Sequence, residues 1–203
     1  GIKRLARVLD VENRQFELVQ ELADNVELPV QVTIASGFPK GDKLEFITQK
    51  VTELGASQIW AFPADWSVAK WDGKKLGKKV EKLEKIALGA AEQSKRNLVP
   101  SVKLFEKKVD FLAQLDQFDS IVVAYEESAK EGEAAALLQA VTGLEKGTKM
   151  LFIFGPEGGL SPAEIESFEA KGAVLAGLGP RILRAETAPL YALSALSVLL
   201  ELE

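Results

Sequence analysis

Two short stretches near the carboxyl end of the chain combine glycines with charged residues, a composition that is common in ligand-binding and catalytic loops. Gly-Pro-Glu-Gly-Gly at 155–159 follows the apolar run 150–154, and Leu-Gly-Pro-Arg-Ile-Leu-Arg-Ala-Glu-Thr-Ala at 178–188 follows a second short apolar run. Continuous apolar runs are typical of buried parallel strands, and open α/β sheets bind ligands beyond the carboxyl ends of such strands. We therefore expect both stretches to be loops at that edge of a parallel sheet.

The glycine-rich stretch does not match the common phosphate-binding patterns. It fits neither G-x-G-x-x-G nor the phosphate loop, because no lysine follows the glycines, and Glu157 would repel a phosphate. Taken alone, the stretch is equally well interpreted as a plain strand-to-helix turn. Ser161 to Glu164 has the pattern of a capping box with Pro162 at the first helical position, so it predicts a helix start.

The composition narrows the available chemistry. The 203 residues include no cysteine and no histidine, which excludes thiol nucleophiles, disulfides and Cys-type zinc sites and removes the commonest general base and metal ligand. No apolar run approaches the ~18 residues of a membrane span. We expect a cytoplasmic protein of one main domain, without a metal. The chain opens at Gly1 without Met, so a missing amino terminus could hide a leader.

Charge is distributed unevenly along the chain. The net charge is −5, yet the segment 70–108 has twelve Lys or Arg against five Asp or Glu, a local excess of +7. Such a basic patch on an acidic protein is compatible with docking on a phosphate backbone. A solvated helix face with Glu–Lys pairs is the alternative.

Alternating patterns predict the elements that would position these loops. Strands are predicted at 30–35, 58–62, 101–105 and 120–125, and helices at 42–54, 75–94 and 133–141. Asp42 to Glu45 has the pattern of a second capping box. The order strand, helix, strand implies parallel pairing, so the fold class is α/β.

The two ends of the chain differ from this pattern. Residues 1–29 alternate and carry β-type residues around a turn at 12–15, but two or three strands cannot bury themselves alone. A helix that starts at Thr187 or its neighbour and continues to 203 has almost no polar face. It needs cover from its own core and from a second subunit, so we expect a homodimer.

The two motifs at 155–161 and 178–188, Gly-Pro-Glu-Gly-Gly-Leu-Ser and Leu-Gly-x-x-Ile-Leu-Arg-x-Glu-Thr-Ala, resemble the RsmE family of ribosomal RNA methyltransferases, which belong to the SPOUT superfamily. The resemblance implies S-adenosylmethionine-dependent methylation of N3 of a uridine in 16S rRNA of the small ribosomal subunit. It implies a parallel sheet with a deep trefoil knot at 30–203. It also makes 1–29 the remnant of a PUA-like RNA-binding β-barrel, whose earlier part is missing from this sequence.

The resemblance also assigns roles to residues. It implies that three loops hold S-adenosylmethionine, largely through backbone groups, and the first of them would include Glu126 and Glu127. The cofactor-binding residues are Tyr125, Phe154, Gly155, Glu157, Gly158, Leu178, Gly179, Ile182, Leu183, Arg184, Glu186, Thr187 and Ala188. On this interpretation Arg184 stabilises the ionised uracil, while Glu157 and Glu186 orient groups or accept its proton.

The resemblance extends to residues that would contact RNA. Glu-Gln-Ser-x-Arg at 92–96 is similar to the family pattern, and Arg96 and Lys70 are the expected RNA contacts. The segment at 40–55 is similar as well, so Lys50 and Glu53 could be functional. Many relatives have Glu-Arg-Ser where this chain has Asp-Trp-Ser at 65–67, so no role is assigned to Trp66.

Other interpretations stay open. Arg184 and Glu186 could form a buried ion pair that braces the loop, and Arg96 could be a charge contact at a helix end. Lys50 and Glu53 could belong to a polar helix face. A non-catalytic RNA- or nucleotide-binding module, in which 155–159 is only a turn, is the competing function.

Overall fold

An antiparallel hairpin of β1 (Lys3–Asp10) and β2 (Gln15–Leu22) precedes the main domain. The computed structural model describes residues 2–23, 25–125 and 135–202. Asp10 stabilises the turn, because its carboxylate accepts hydrogen bonds from the backbone amides of Glu12 and Asn13 at 2.9 and 3.1 Å. The predicted turn is confirmed. Both faces of the hairpin are largely exposed, so it buries no core of its own.

A six-stranded parallel sheet forms the centre of the molecule. Its strands are β3 (Gln31–Gly37), β4 (Gln58–Phe62), β5 (Ser101–Leu104), β6 (Ser120–Ala124), β7 (Lys149–Phe154) and β8 (Val174–Ala176). The spatial order is β5-β4-β3-β7-β6-β8, and every neighbouring pair is parallel. All six carboxyl ends therefore lie at one edge. The prediction of an α/β fold with a parallel sheet is confirmed.

Helices cover both faces of this sheet. They are α1 (Lys43–Glu53), α2 (Gly73–Gln93), α3 (Lys108–Leu112), α4 (Ala135–Val141), α5 (Pro162–Glu169) and α6 (Ala188–Glu201), with a 3-10 turn at Leu115–Gln117. The start of the predicted helix at 133–141 lies outside the described residues, and so do Glu126 and Glu127. The other predicted helices lie within a few residues of the observed bounds.

The apolar core is divided by the central strands. Residues that alternate along β7 point to opposite faces: Met150 and Phe152 pack with α1 and α6, whereas Leu151 and Ile153 pack with α3 and α5. All four are at most 1 % exposed. Burial on both faces explains why this strand is a continuous apolar run in the sequence.

The two predicted capping boxes have different outcomes. Ser161 accepts a hydrogen bond from the amide of Glu164 at 3.2 Å, and Glu164 accepts one from the amide of Ser161 at 2.9 Å, so this box is confirmed. The box at Asp42 is wrong, because the Asp42 side chain makes no cap hydrogen bond. Glu45 instead pairs with Lys82 of α2 at 2.6 Å.

Candidate active site

A cavity of about 730 Å³ opens at the carboxyl edge of the sheet, beside β7. Its lining includes residues from the loops after β4, β6, β7 and β8 and from the start of α1. Nine of the predicted cofactor residues line it, namely Tyr125, Phe154, Gly155, Glu157, Gly158, Ile182, Leu183, Arg184 and Ala188. The two stretches singled out in the sequence therefore meet at one site.

Four predicted cofactor residues are not part of this lining: Leu178, Gly179, Glu186 and Thr187. Gly179 has a positive φ of 94°, which fits a turn that leads the chain towards the cavity. Glu186 lies next to the cavity, because it pairs with Lys43, which does line it. For Leu178 and Thr187 a cofactor contact stays a prediction.

The glycines of the loop at 155–159 are required by packing within the protein. A Cβ on Gly155 would lie 2.8 Å from the carbonyl carbon of Gly159, and a Cβ on Gly158 would lie 2.9 Å from the Cβ of Trp66. Gly159 itself has a positive φ of 79°. The loop is thus folded tightly on itself and against the segment after β4, so its glycines do not by themselves indicate a ligand.

A polar network fixes that second segment against α5. Asp65 accepts a hydrogen bond from the Ser161 hydroxyl at 2.6 Å and forms an ion pair with Lys108. Its backbone amide donates to the fully buried carboxylate of Glu164 at 3.0 Å. The hydrogen bonds from Lys108 and Ser161 lower the pKa of Asp65 below its ordinary value. This network positions Trp66, the next residue, at the cavity.

Lys43 joins the two catalytic candidates Glu157 and Glu186. Its Nζ lies 2.8 Å from Glu157 Oε1 and 3.0 Å from Glu186 Oε2. The second contact is an ion pair without hydrogen-bond geometry, since Glu186 Oε2 has no hydrogen-bond partner. The amide of Lys40 also donates to Glu157 at 3.1 Å. The first turn of α1 therefore connects the loop after β7 to the loop before α6.

This cluster controls the charge states of its members. Burial raises the pKa of Glu157, but Lys43 and the backbone amides of Glu157 and Lys40 together outweigh it, so that pKa lies below its ordinary value. For Glu186, burial also raises the pKa, but its own backbone amide and Lys43 outweigh that effect. The two carboxylates raise the pKa of Lys43. All three groups are charged at neutral pH.

Arg184 stands apart from this cluster. It is exposed and lines the cavity, and among the described residues no carboxylate lies within ion-pair distance of its guanidinium. Its positive charge is one of the minor causes that lower the pKa of Glu186. The alternative interpretation, an ion pair between Arg184 and Glu186, is therefore wrong, because Glu186 pairs with Lys43 instead.

Arg96, expected to contact RNA, is buried. Its side chain is 3 % exposed and pairs with Glu27. Its Nη1 donates to the carbonyls of Thr52 and Ala56 at 2.9 and 2.7 Å. Its polar atoms are directed into the fold, so we correct the prediction: Arg96 binds the end of α1 to the segment before β3.

The remaining predicted contacts differ in exposure. Lys70 is exposed, so an RNA contact there stays a prediction. Lys50 and Glu53 pair with each other at 2.8 Å on α1, which favours the polar helix face. Sequence reasoning missed Lys43 and left Trp66 without a role. The signal for Lys43 was its place in the family-like segment at 40–55, from which we singled out Lys50 and Glu53 instead.

Two absences hold for the described ranges. No group of three or more acidic, histidine or cysteine side chains is arranged there to hold a metal ion. None of the helices in those ranges is long and apolar enough to cross a membrane.

Comparison with known proteins defines the class first. A model of the family described as RNA methyltransferase domain matches residues 26–197. The Aquifex aeolicus TrmH/SpoU tRNA modifying enzyme shares the fold alone, with a TM-score of 0.52, 15 % identity and coverage of 82 % of this chain and 73 % of that one. The sheet and the cavity at its carboxyl edge thus belong to an RNA methyltransferase domain.

Individual relatives narrow the family. Ribosomal RNA small subunit methyltransferase E of Bacillus subtilis is 55 % identical over 179 residues, which cover 88 % of this chain and 70 % of the relative. The chain belongs to this family, RsmE, and the resemblance seen in the sequence is confirmed.

Two relatives of known structure were solved in complex with S-adenosylmethionine. A Legionella pneumophila putative methyltransferase in complex with the cofactor SAM has a TM-score of 0.77 at 28 % identity, over 96 % of this chain and 77 % of that one. The Neisseria gonorrhoeae methyltransferase E bound to S-adenosyl methionine has a TM-score of 0.77 at 27 % identity, over 98 % of this chain and 80 % of that one.

Proposed function

We propose that this protein transfers a methyl group from S-adenosylmethionine to N3 of a uridine in 16S rRNA of the small ribosomal subunit. The observation that carries the proposal is the meeting of both family motifs at one cavity beside β7. Methylation of ribosomal RNA is supported by the relatives, which are ribosomal RNA small subunit methyltransferases. The position N3 and the uridine rest on the family resemblance.

The residues around the cavity fit the proposed cofactor. Its volume of about 730 Å³ suits a ligand of nucleoside size. The loop at 155–159 offers backbone groups, and Ile182, Leu183 and Ala188 offer apolar surface for a ring. The cofactor, when bound, supplies an electrophilic methyl group on a sulfonium. Two relatives are described as binding the same molecule, which supports the assignment.

Arg184 is proposed to act on the acceptor. The methyl acceptor must be the anion of the base, because the nitrogen has to lose its proton before it can attack. An exposed guanidinium at the cavity, without a carboxylate partner in the described residues, is free to stabilise negative charge on the uracil oxygens. In this proposal Arg184 stabilises the deprotonated uracil, which is the form that accepts the methyl group.

Glu157 and Glu186 are proposed to orient the site. Lowered pKa values make both carboxylates weak bases at neutral pH. Of the roles open to them, holding Lys43 and the two loops in place fits these charge states better than accepting the proton. Stabilisation of the base anion by Arg184 then lets the proton pass to solvent.

Assembly and architecture complete the proposal. We propose a cytoplasmic homodimer whose interface includes α6. We also propose that the loop 178–188 belongs to a deep trefoil knot. The hairpin of β1 and β2 would be part of a PUA-like barrel. Val198 on α6 and Leu202, the residue after its end, are 54 % and 76 % exposed, whereas Leu196 is fully buried in the core. Val198→Lys should therefore give monomers by light scattering while the fold is kept, and a monomeric parent would contradict the dimer.

The function is tested on small subunits that lack the modification. Methyl transfer from labelled S-adenosylmethionine, with mass-spectrometric mapping of the product, should give 3-methyluridine at one position of the RNA. Calorimetry should detect cofactor binding to the free protein. RNA binding without affinity for the cofactor would instead support the non-catalytic module.

A further inference from the structure

Trp66 is the one tryptophan that the fold leaves half open. Its side chain lines the cavity and the residue is 49 % exposed. Trp60 is 2 % exposed in the core, and Trp71 packs against Phe38 in a tilted arrangement with ring centroids 4.3 Å apart. Burial of a large apolar ring is favourable, so an indole left exposed at a ligand cavity is suited to contact with a ligand.

The position of this indole is fixed from several directions. The Trp66 main chain lies against Gly158, and two atoms of its six-membered ring lie 3.9 Å from the point where a Cβ on Gly159 would stand. The preceding residue, Asp65, is held by Ser161, Glu164 and Lys108. Part of the ring therefore rests on the glycine loop while the rest faces outwards on a rigid support, which lowers the entropic cost of stacking.

The surroundings favour a nucleobase of the RNA over the adenine of the cofactor. Trp66 comes from the loop after β4 and not from the loops after β6, β7 and β8 that the cofactor is expected to occupy. Its segment continues to the exposed Lys70 and to α2, whose first half carries exposed lysines at 74, 75 and 78. An aromatic ring beside cationic side chains is the usual combination for binding single-stranded nucleic acid, because bases stack on the ring while phosphates pair with the cations.

We propose that Trp66 is a substrate-positioning residue on which a base of the single-stranded RNA target stacks as it enters the cavity. The proposal rests on the proposed function and adds to it the surface that receives the base. Among the aromatic residues that line the cavity, Tyr125 is only partly exposed and Phe154 is buried, so neither offers an equivalent open face. Across the same cavity, Arg184 would meet the polar edge of a base held on this ring.

The test compares Trp66→Ala, Trp66→Phe and Val68→Ala. Val68 is a matched control, since it is 66 % exposed two residues away and does not line the cavity. With small ribosomal subunits that lack the modification, the substrate of the functional test, the alanine variant should raise both the dissociation constant and the KM for this RNA substrate by about ten-fold or more. Phenylalanine should restore most of the affinity, and Val68→Ala should match the parent. Cofactor affinity by calorimetry and the melting temperature should stay near those of the parent.

Fluorescence gives a readout that does not depend on methyl transfer. The difference in emission between the parent and Trp66→Phe reports Trp66, and a short uridine-containing single-stranded RNA should quench it. Unchanged RNA affinity in Trp66→Ala would overturn the proposal. An equal loss of cofactor affinity would also overturn it, because the ring would then serve the cofactor or the loop. Phenylalanine as defective as alanine, with a lowered melting temperature, would likewise make the ring a packing element.

The failure of this proposal can be told apart from failure of the proposed function. If RNA quenches Trp66 in a parent that transfers no methyl group, the proposed function fails and the stacking role stands. If Trp66→Ala methylates RNA with the KM of the parent, the stacking role fails and the function stands. A parent that binds no RNA contradicts both.

Discussion

Arg96 and Arg184 lie in regions that use the same side chain in opposite ways. Arg96, at the end of α2, is 3 % exposed and directs its nitrogens to Glu27 and to carbonyls at the end of α1. Arg184, in the loop before α6, is exposed at the cavity and has no carboxylate within ion-pair distance among the described residues. The first arginine is consumed by the fold, whereas the second keeps its donors for a ligand.

The comparison teaches how to separate a structural cation from a functional one. A buried guanidinium needs a partner for each donor, because an unpaired buried charge is very costly. An arginine that satisfies all its donors inside the protein has none left for RNA. An arginine without a carboxylate partner beside a cavity can exist only because water or a ligand solvates it.

The largest expected effect is on stability, at Arg96. Arg96→Ala leaves the Glu27 carboxylate with only the amides of Asn97 and Leu98 as partners and removes the donor to the carbonyls of Thr52 and Ala56. We therefore expect a loss of about 3–5 kcal/mol in the free energy of unfolding. Urea titration of the variant measures this loss. Lys85→Ala, an exposed position on α2, is the control and should change little. A stable Arg96→Ala protein with weakened RNA binding would reverse our correction.

At Arg184 the expected effect is on turnover. Arg184→Lys keeps the charge but loses the planar fork, so single-turnover methylation should slow by about ten-fold or more, with cofactor affinity and melting temperature nearly unchanged. Arg181→Lys in the same exposed loop is the matched control and should retain activity. Full activity in Arg184→Lys would end the catalytic assignment.

A smaller and mixed effect is expected at Lys43. Lys43→Ala removes the cation between Glu157 and Glu186, so repulsion between the two loops should weaken cofactor binding several-fold and cost about 1 kcal/mol of stability. A double-mutant cycle with Glu157→Gln should show coupling of about 0.5 kcal/mol or more. Additive effects would mean that Lys43 and Glu157 do not stabilise each other.

The smallest effect is the dependence of stability on pH. The folded pKa values of Asp65, Glu157 and Glu186 lie below the ordinary values, so their contribution is present above about pH 4.5 and is lost as the pH falls through the folded values. Lys43 and Lys108 have raised pKa values, so their contribution is lost only as the pH rises beyond about 10.5. Melting temperatures should be flat between these limits. A maximum inside this window would show that other groups dominate.

Local signals predicted their structures well, and long-range pairs were beyond them. The continuous apolar run of β7, the box at Ser161 and the loop at 155–159 depend on neighbours in sequence, so the sequence predicted them correctly. The role of Arg96 depends on Glu27, which lies 69 residues away. The box at Asp42 is not formed, because Asp42 lacks the extended backbone conformation of a typical N-cap and Glu45 pairs with Lys82, which lies on another helix.

The same limit explains the candidate site. The motifs indicated which loops matter, because each combines glycines with charged residues after an apolar run. They could not indicate that Lys43 holds two of these carboxylates together, since its partners stand at 157 and 186. Nor could they place Trp66 on the glycine loop, because that contact joins the ends of β4 and β7.

The position of β7 between β3 and β6 has a consequence for the order of folding. The strands β3, β4 and β5 are neighbours both in sequence and in the sheet, so they can pair through short crossovers, but β3 meets β7 only after more than a hundred further residues have been made. Contacts that close long loops form late, because the entropy of closure must be overcome first. On the ribosome and in refolding, we therefore expect the cavity beside β7 to be among the last features to form, so that affinity for the cofactor would report a completed sheet.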